Sequence, residues 1–270
     1  MKKIIYLLCA SMLFFVSCSS NNSSNDTNNN NSSQNLFLKK ITEGDAVLGG
    51  SGSSYTYNGN KLVEILRTQS SYTSSDKYTY TGDLITKIEK YEVHYLGTSS
   101  ESRTLISTDQ FQYNNNNQLV QFKTTTPNSD YEDVTTYVYT NNNTVTFQQF
   151  ENSPGTAPVS LKTGTITVQN GELVRVQVVK QFDSYTKDYT YDTYNSVFKN
   201  VLGYDKLMFS HIIGKQGSMT SLSTIIGGVS HNFTNGNGTL EYTYNTNNYP
   251  LIAKQKMGTT VLHTFNFEYY

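Results

Sequence analysis

Residues 55–65 read YTYNGNKLVEI, and this stretch decides the fold. Tyr55 and Tyr57 alternate with a threonine, which places both rings on one face of a β-strand because successive side chains of a strand point to opposite faces. An Asn-Gly pair follows, and these residue types accept the positive φ angle of a tight hairpin turn. The aliphatic run after the turn is typical of a return strand. The stretch therefore predicts one antiparallel β-hairpin with an aromatic face.

The same hairpin theme recurs along most of the chain. It is found in YTYTGDLITKI (78–88), FQYNNNNQLVQF (111–122), YVYTNNNTVTF (137–147) and ITVQNGELVRV (166–176), and Tyr-x-Tyr pairs also stand at 189–191 and 242–244. The steps between units vary, which favours antiparallel hairpins with loops of different length over a solenoid of fixed period. The sequence thus predicts an all-β fold, a large twisted antiparallel meander of β-hairpins that can curl into an incomplete barrel.

One stretch, residues 192–239, interrupts this rhythm. Val197, Phe198, Val201 and Leu202 have helical spacing, and Gly203 ends the pattern. We expect a short helix or helical turn near 196–202 that packs on the concave face of the sheet, followed by a long loop.

Composition restricts the function classes. The 270 residues include 22 Tyr and 13 Phe, no Trp and only 15% charged residues, with a formal net charge of −1. Aromatic residues at 13% are too many for a disordered chain. The balance of charge provides no basic patch for a phosphate backbone, so we expect no nucleic-acid partner.

The N-terminus has the pattern of a secretory signal. Two lysines precede a mostly apolar stretch, residues 4–16, which is shorter than a membrane span. We predict a signal peptide at 1–17, a lipidated cysteine and disordered Asn/Ser tether at 18–35, and a single β-hairpin-repeat domain at 36–270. Cys9 is removed with the signal, so Cys18 is the only cysteine of the mature chain and no intramolecular disulfide can form.

Residues 15–18, Phe-Val-Ser-Cys, resemble the lipobox of bacterial lipoproteins. The resemblance implies that Cys18 is the lipid attachment site and that the membrane is a partner through this anchor. The alternative is an ordinary signal peptide that contains a cysteine by chance. In many surface-exported lipoproteins of the Bacteroidota an acidic cluster directly follows the lipidated cysteine, and none follows Cys18. By this resemblance we expect the periplasmic face of the outer membrane rather than the cell surface.

The Tyr-x-Tyr pair, the Asn/Gly turn and the following Leu-x-x-apolar spacing are similar to the YD repeats of RHS-type proteins. That spacing is seen in Leu62 with Ile65, in Leu119 with Phe122 and in Leu173 with Val176. The whole chain resembles a group of uncharacterised Bacteroidota lipoproteins built from degenerate units of this kind. The group has no assigned activity to transfer.

Motifs for catalysis, metals and cofactors are scarce. The histidines, which are His94, His211, His231 and His263, lie far apart and have no cysteine partner in the mature chain. Asp130, Glu132 and Asp133 cluster in a predicted loop, where solvated charge is the simpler interpretation than a glycosidase pair. No phosphate loop, nucleophile elbow or dinucleotide fingerprint is present. We therefore expect no enzyme, no metal site and no cofactor.

Two function classes remain. The first is a non-enzymatic binding or scaffold module whose curved sheet binds a protein or an apolar ligand on its aromatic concave face. The second is a glycan-binding module, because exposed tyrosine rings can stack on sugars. Exposure of the Tyr-x-Tyr rings distinguishes them. The deciding positions are Tyr55, Tyr57, Tyr78, Tyr80, Tyr137 and Tyr139.

Overall fold

The structure is a computed structural model, and it describes residues 35–44, 51–69, 72–180, 182–208, 210, 228–236 and 238–270. The predicted signal peptide, almost all of the predicted tether, Cys18 and His211 lie outside the described residues.

Strands dominate the described chain, as the hairpin theme predicts. The first nine are β1 (Leu38–Gly44), β2 (Ser51–Asn58), β3 (Lys61–Gln69), β4 (Tyr72–Thr81), β5 (Leu84–His94), β6 (Ser102–Tyr113), β7 (Leu119–Thr125), β8 (Glu132–Asn141) and β9 (Thr144–Asn152). The second nine are β10 (Val159–Gln169), β11 (Glu172–Lys180), β12 (Ser184–Asp188), β13 (Tyr191–Asn195), β14 (His231–Phe233), β15 (Asn235–Gly236), β16 (Gly238–Tyr244), β17 (Pro250–Met257) and β18 (Thr260–Tyr269). The all-β prediction is confirmed.

Sixteen of these strands form one antiparallel sheet. Strands β1 to β12 follow one another as a meander, but β15 to β18 return to the other side of β1, so that β18 pairs with β1. The sheet is open, with β12 and β15 at its edges. This agrees with the expectation of an antiparallel meander that remains incomplete, and it adds one crossover that the sequence pattern did not predict.

The hairpin turns have the backbone that their residues predict. Asn170 and Gly171 both have positive φ, 52° and 79°, which is the type I′ geometry of a two-residue hairpin. Gly59 and Gly82 also have positive φ at the β2–β3 and β4–β5 turns. Glycine and asparagine adopt this conformation at little cost, so the turns fix the register of the strands that they join.

A β-bulge beside several of these turns explains the Leu-x-x-apolar spacing. In the β2–β3 pair Tyr57 lies opposite Leu62 and Thr56 lies opposite Glu64, so Val63 is the extra residue. A bulge changes which side chains share a face. Leu62 and Ile65 are therefore both buried although they are three residues apart. Matching bulges are found in the β4–β5, β6–β7 and β10–β11 pairs.

The segment after β13 contains a helical turn, as expected, but the turn lies later in the chain than the predicted residues 196–202. Residues 197–203 form consecutive turns, in which Val201 N–H donates to the Phe198 carbonyl at 2.9 Å. A 3-10 turn, Tyr204–Leu207, begins after Gly203, where the sequence pattern predicted the end of the helical segment. A side chain at position 203 would meet the Asp83 carbonyl oxygen at 2.5 Å, and φ is +70°. Close contact with the β4–β5 turn, rather than helix termination, is what requires this glycine. The described residues include no helix with the length and hydropathy of a membrane span.

Part of the predicted long loop also forms strands. Strand β14 pairs with β13 in a separate two-stranded sheet, and β15 joins the edge of the large sheet. Thr234 N–H donates to the Thr190 carbonyl at 2.8 Å, and Asn235 Nδ2 donates to the Asp188 carbonyl at 3.1 Å. The second bond joins the ends of the two edge strands, β12 and β15, and the first joins the residues beside them.

A buried carboxylate holds residues 228–236, which we call the return segment. Glu172, in the β10–β11 hairpin, accepts hydrogen bonds from the backbone N–H groups of Val229 at 3.1 Å, Ser230 at 2.7 Å and His231 at 2.9 Å. The Glu172 side chain is 6% exposed. Three N–H donors compensate for the loss of water around this buried charge.

The core lies on one face of the large sheet, which we call the core face. It joins buried aromatic and aliphatic side chains from β1 to β18 with those of residues 197–207. Leu38, Ile41, Leu62, Ile85 and Phe265 have no exposed surface. The opposite face carries the alternating polar residues of each strand, as period-two patterning predicts.

Candidate functional site

The rings of the Tyr-x-Tyr pairs face the core. Tyr55 and Tyr137 are 1% and 3% exposed, and the other four rings are partly buried against the core cluster. Burial raises the pKa of the Tyr80 hydroxyl to about 12, although the N–H of Leu62, 3.1 Å away, acts in the opposite direction. The exposed tyrosine rows on which the glycan hypothesis depended are therefore absent at these six positions.

The part of the core face that carries the Tyr-x-Tyr rings of residues 55–57, 78–80 and 137–139 is called the aromatic section. Residues 197–207 cover it. The Phe198 ring meets the Tyr55 ring edge-on at 5.6 Å and stacks on the Tyr204 ring at 4.2 Å. Leu207 is fully buried, and the N–H of Leu202 donates to the Asn60 carbonyl at 2.9 Å. This segment occupies the place where an apolar ligand would contact the rings, so it takes the role that the sequence hypothesis gave to such a ligand.

Farther along the same strands the core face becomes polar. Asp76 precedes Tyr78 and Tyr80 at two-residue steps, so its carboxylate is on the core face as well. The members of this part of the face, which we call the polar section, are Ser53, Arg67, Asp76, Lys90, Asp109, Thr124, Asp133, Thr135, Gln149, Lys162 and Lys180.

Two ion pairs lie at the centre of the polar section. Arg67 Nη1 is 2.8 Å from Asp76 Oδ2, and Lys90 Nζ is 2.8 Å from Asp109 Oδ2. Thr124 Oγ1 donates to the other Asp109 oxygen at 2.8 Å. Burial alone would lower the pKa of Arg67, but the charge of Asp76 raises it above its ordinary value. Arg67 is therefore a permanent cation.

The two ends of each ion pair differ in exposure. The side chains of Asp76 and Asp109 are 13% and 6% exposed, whereas those of Arg67 and Lys90 are 32% and 41% exposed. The acids are thus buried beneath the cations and fix their positions. What the polar section presents outward is the donor groups of Arg67 and Lys90, which can bind acceptor oxygens.

The polar section continues across β1. His263 Nδ1 lies 2.6 Å from Glu43 Oε1, and Ser51 Oγ donates to Glu43 Oε2 at 2.8 Å. Strand alternation places these side chains on the same face as Ile41 and Phe265. Polar groups therefore extend over both sides of the strand that joins the first and last hairpins.

A separate cluster on the opposite face is structural. Glu64 accepts hydrogen bonds from Ser75 and Arg103, and Arg103 Nη1 donates to Ser75 Oγ at 3.0 Å. Burial would raise the pKa of Glu64, but the two hydrogen bonds and the charge of Arg103 lower it overall. This cluster links β3, β4 and β6 and lies away from the core face.

The structure separates the histidines that the sequence marked. His94 Nε2 is 3.8 Å from Glu92, His231 Nδ1 is 3.4 Å from Glu172, and His263 contacts Glu43. Within the described ranges, no group of three or more His, Cys, Asp and Glu side chains is placed to hold a metal ion.

The three carboxylates at 130–133 do not all lie together, because Glu132 and Asp133 are in β8 rather than in the predicted loop and Asp133 is on the other face of that strand. Glu132 pairs with Lys123 at 2.9 Å, whereas Asp133 points to the core face. Asp130 and Glu132 line an open groove of about 430 Å³ at the end of β7, β8 and β9. Alternate strand faces keep Glu132 and Asp133 apart, so they cannot act as a pair on one substrate.

The polar section was not recognised in the sequence, although a signal exists. Asp76 stands two residues before the Tyr78–Tyr80 pair, and Asp109 stands two residues before Phe111. In the return strands Arg67 and Lys90 each stand two residues after a buried isoleucine. A period-two pattern that changes from apolar to charged within one strand predicts a face with two sections.

Comparison with known proteins finds one distant structural similarity to report for this chain. No family model and no curated protein matches it. Among solved structures, the chain is similar to a porin-like protein from Bacteroides uniformis, with a TM-score of 0.43 and 14% sequence identity over 86% of this chain and 98% of that chain.

Proposed function

We propose that this protein is a non-enzymatic binding module that uses the polar section of the core face to bind a polar ligand. The observation that supports the proposal is the half-buried cations held over more deeply buried acids, Arg67 over Asp76 and Lys90 over Asp109. A buried ion pair is a weak source of stability, because desolvation offsets most of the Coulomb attraction. Positioned donors are, in contrast, what a site for an oxygen-rich ligand needs.

The buried apolar cluster is continuous without any side chain of the polar section. Residues 197–207 and the aromatic faces of the hairpins already form one connected cluster. The polar section therefore adds little to folding, and recognition is the function that its arrangement favours. A polar ligand replaces the apolar ligand considered from the sequence, because the chain itself covers the aromatic section.

The test compares ligand-induced stabilisation of the wild-type full chain with that of a paired variant. Arg67→Met with Asp76→Leu removes both charges at similar volume, a change that is often neutral or stabilising. Glucose, N-acetylglucosamine, glutamate and glucose 6-phosphate would be assayed by thermal shift, with Lys254→Gln as an exposed control on the opposite face. We expect at least one compound to raise the Tm of the wild type and the control but not of the paired variant. If every compound that stabilises the wild type stabilises the paired variant equally, the proposal fails.

We further propose that the module is a lipoprotein anchored through Cys18 to the outer membrane, on its periplasmic face. The lipobox resemblance of residues 15–18 and the polar stretch after them support this proposal. Labelled palmitate should be incorporated into the wild-type chain and not into Cys18→Ser. Label retained by the variant would refute the anchor. Digestion of the protein by protease added to intact cells would refute the periplasmic placement.

A further inference from the structure

Two lysines of the polar section face each other directly. In the β10–β11 pair Lys162 lies opposite Lys180, and both continue the core-face series that includes Ile166 and Val178. Residues directly opposite on antiparallel strands have Cβ atoms about 4.5–5.5 Å apart. Two ammonium groups are therefore within reach of one another on the same side of the sheet.

This arrangement is unfavourable for the protein alone. Like charges directly opposite each other destabilise a strand pair. Burial and the charge of Lys180 lower the pKa of Lys162, and the charge of Asp133 only partly opposes them. Among the described residues neither lysine has a carboxylate oxygen within 4.0 Å; the Lys180 ammonium instead lies 5.4 Å from the centre of the Tyr185 ring.

The neighbours of the lysines add donors and a support. Gln149 is directly opposite Lys162 on β9 and is 2% exposed, so its amide is fixed beside the pair. The Phe147 ring packs against Gly164, two residues from Lys162, and leaves no room for a side chain there. Lys162 is half-buried while Lys180 is exposed, which leaves one side of the pair open to solvent.

We propose that Lys162 and Lys180, with Gln149, bind the oxyanion group of a small anionic ligand. A doubly charged group such as phosphate or sulfate neutralises both ammonium groups at once, and lysine binds such groups as a point charge. The inference rests on the proposed function, and it names the chemistry of the ligand at one end of the polar section.

The test uses the full chain with Cys18→Ser, so that the anchor does not contribute. Phosphate, sulfate, acetate and chloride are added at equal ionic strength and pH 8, since screening alone changes surface electrostatics. We expect saturable increases in Tm with phosphate and sulfate, half-maximal at roughly 1–10 mM, and an affinity for acetate about tenfold lower. Lys162→Gln and Lys180→Gln should each weaken phosphate binding by about tenfold or more. Lys254→Gln removes the same charge from an exposed site on the opposite face and should leave phosphate binding unchanged.

A second arm identifies the source of the oxyanion. Retention on vesicles that contain phosphatidic acid, whose phosphomonoester is close to doubly charged at pH 8, would assign the group to a lipid headgroup if it is lost with Lys162→Gln. Stabilisation by phosphate without retention on vesicles would assign it to a free small molecule. Loss of folding does not confuse the test, because removing a charge from this pair should stabilise the chain.

The outcome that overturns the inference is also distinct from failure of the proposed function. If phosphate stabilises Lys162→Gln as much as the wild type, or stabilises neither, no oxyanion site exists at this pair. In that case the proposed function would still stand if a neutral compound raised the Tm of the wild type and not that of the paired Arg67→Met, Asp76→Leu variant.

Discussion

Replacement of Glu172 by glutamine tests whether one buried carboxylate holds the return segment in place. Hydrogen bonds to a charged group contribute about 1.5–3 kcal/mol each. The glutamine amide can keep one oxygen facing Ser230 and His231, which lie 2.7 and 2.9 Å away, but its NH₂ group would then face the N–H of Val229. The hydrogen bond from Val229 is lost, and those from Ser230 and His231 no longer have a charged acceptor. The desolvation cost of the buried carboxylate is removed as well, which partly offsets the loss. We expect Glu172→Gln to lower the free energy of unfolding by about 2–4 kcal/mol.

Urea denaturation and amide hydrogen exchange would measure this effect. The amides of Val229, Ser230 and His231 should lose protection in the variant more than amides of the central strands do. Glu241→Gln is the control, because Glu241 is 54% exposed in its pair with Lys256, and surface pairs contribute about 1 kcal/mol or less. A loss smaller than about 0.5 kcal/mol, or unchanged protection at the three amides, would refute the assigned role of Glu172.

Three further predictions follow from the core face. Phe198→Ala should cost about 3–5 kcal/mol in urea denaturation, because the ring is 2% exposed between two tyrosine rings; a cost near zero would show that residues 197–207 do not fill the core. Lys162→Gln should raise the Tm at pH 7. Because the pKa of Lys162 is lowered from 10.5 in the folded chain, the unfolded chain keeps this proton to higher pH. The stability of the wild type should therefore rise with pH between the lowered pKa and 10.5. The variant should lack this rise, and identical pH profiles of the two proteins would contradict the prediction. Asp76→Leu alone should destabilise the chain by leaving Arg67 unpaired, whereas adding Arg67→Met should recover the loss; equal stability of the single and paired variants would show that the ion pair has no energetic coupling.

The hairpins could be predicted from the sequence because their signals are local. Alternation at Tyr55 and Tyr57 and the positive-φ residues Asn170 and Gly171 fix a strand and a turn within a few residues. The buried position of the tyrosine rings was left open, since alternation shows which rings share a face and not whether another element covers that face.

The elements that were missed depend on partners distant in the chain. Strand β14 forms because β13 and Glu172 supply hydrogen bonds from elsewhere, in a stretch whose own composition is typical of a loop. Gly203 read as a helix end, but its conformation is required by contact with Asp83 in another hairpin. The pairing of Lys162 with Lys180 likewise depends on strand register, which composition does not encode.

Because β1 pairs with β18, the large sheet cannot form completely until the β17–β18 hairpin is present. Ile41 lies opposite Phe267, which is more than 200 residues later in the sequence. Strand β1 can pair with β2 early, but it can pair with β18 only after the residues of β18 have been synthesised. Contacts of such long range form slowly and leave an open strand edge in the meantime. A chain that ends early, even by the length of β18 alone, would therefore leave the backbone groups of β1 and β17 without this partner strand and be prone to aggregate. Shortening at the C-terminus should be as harmful to this protein as loss of its first strand.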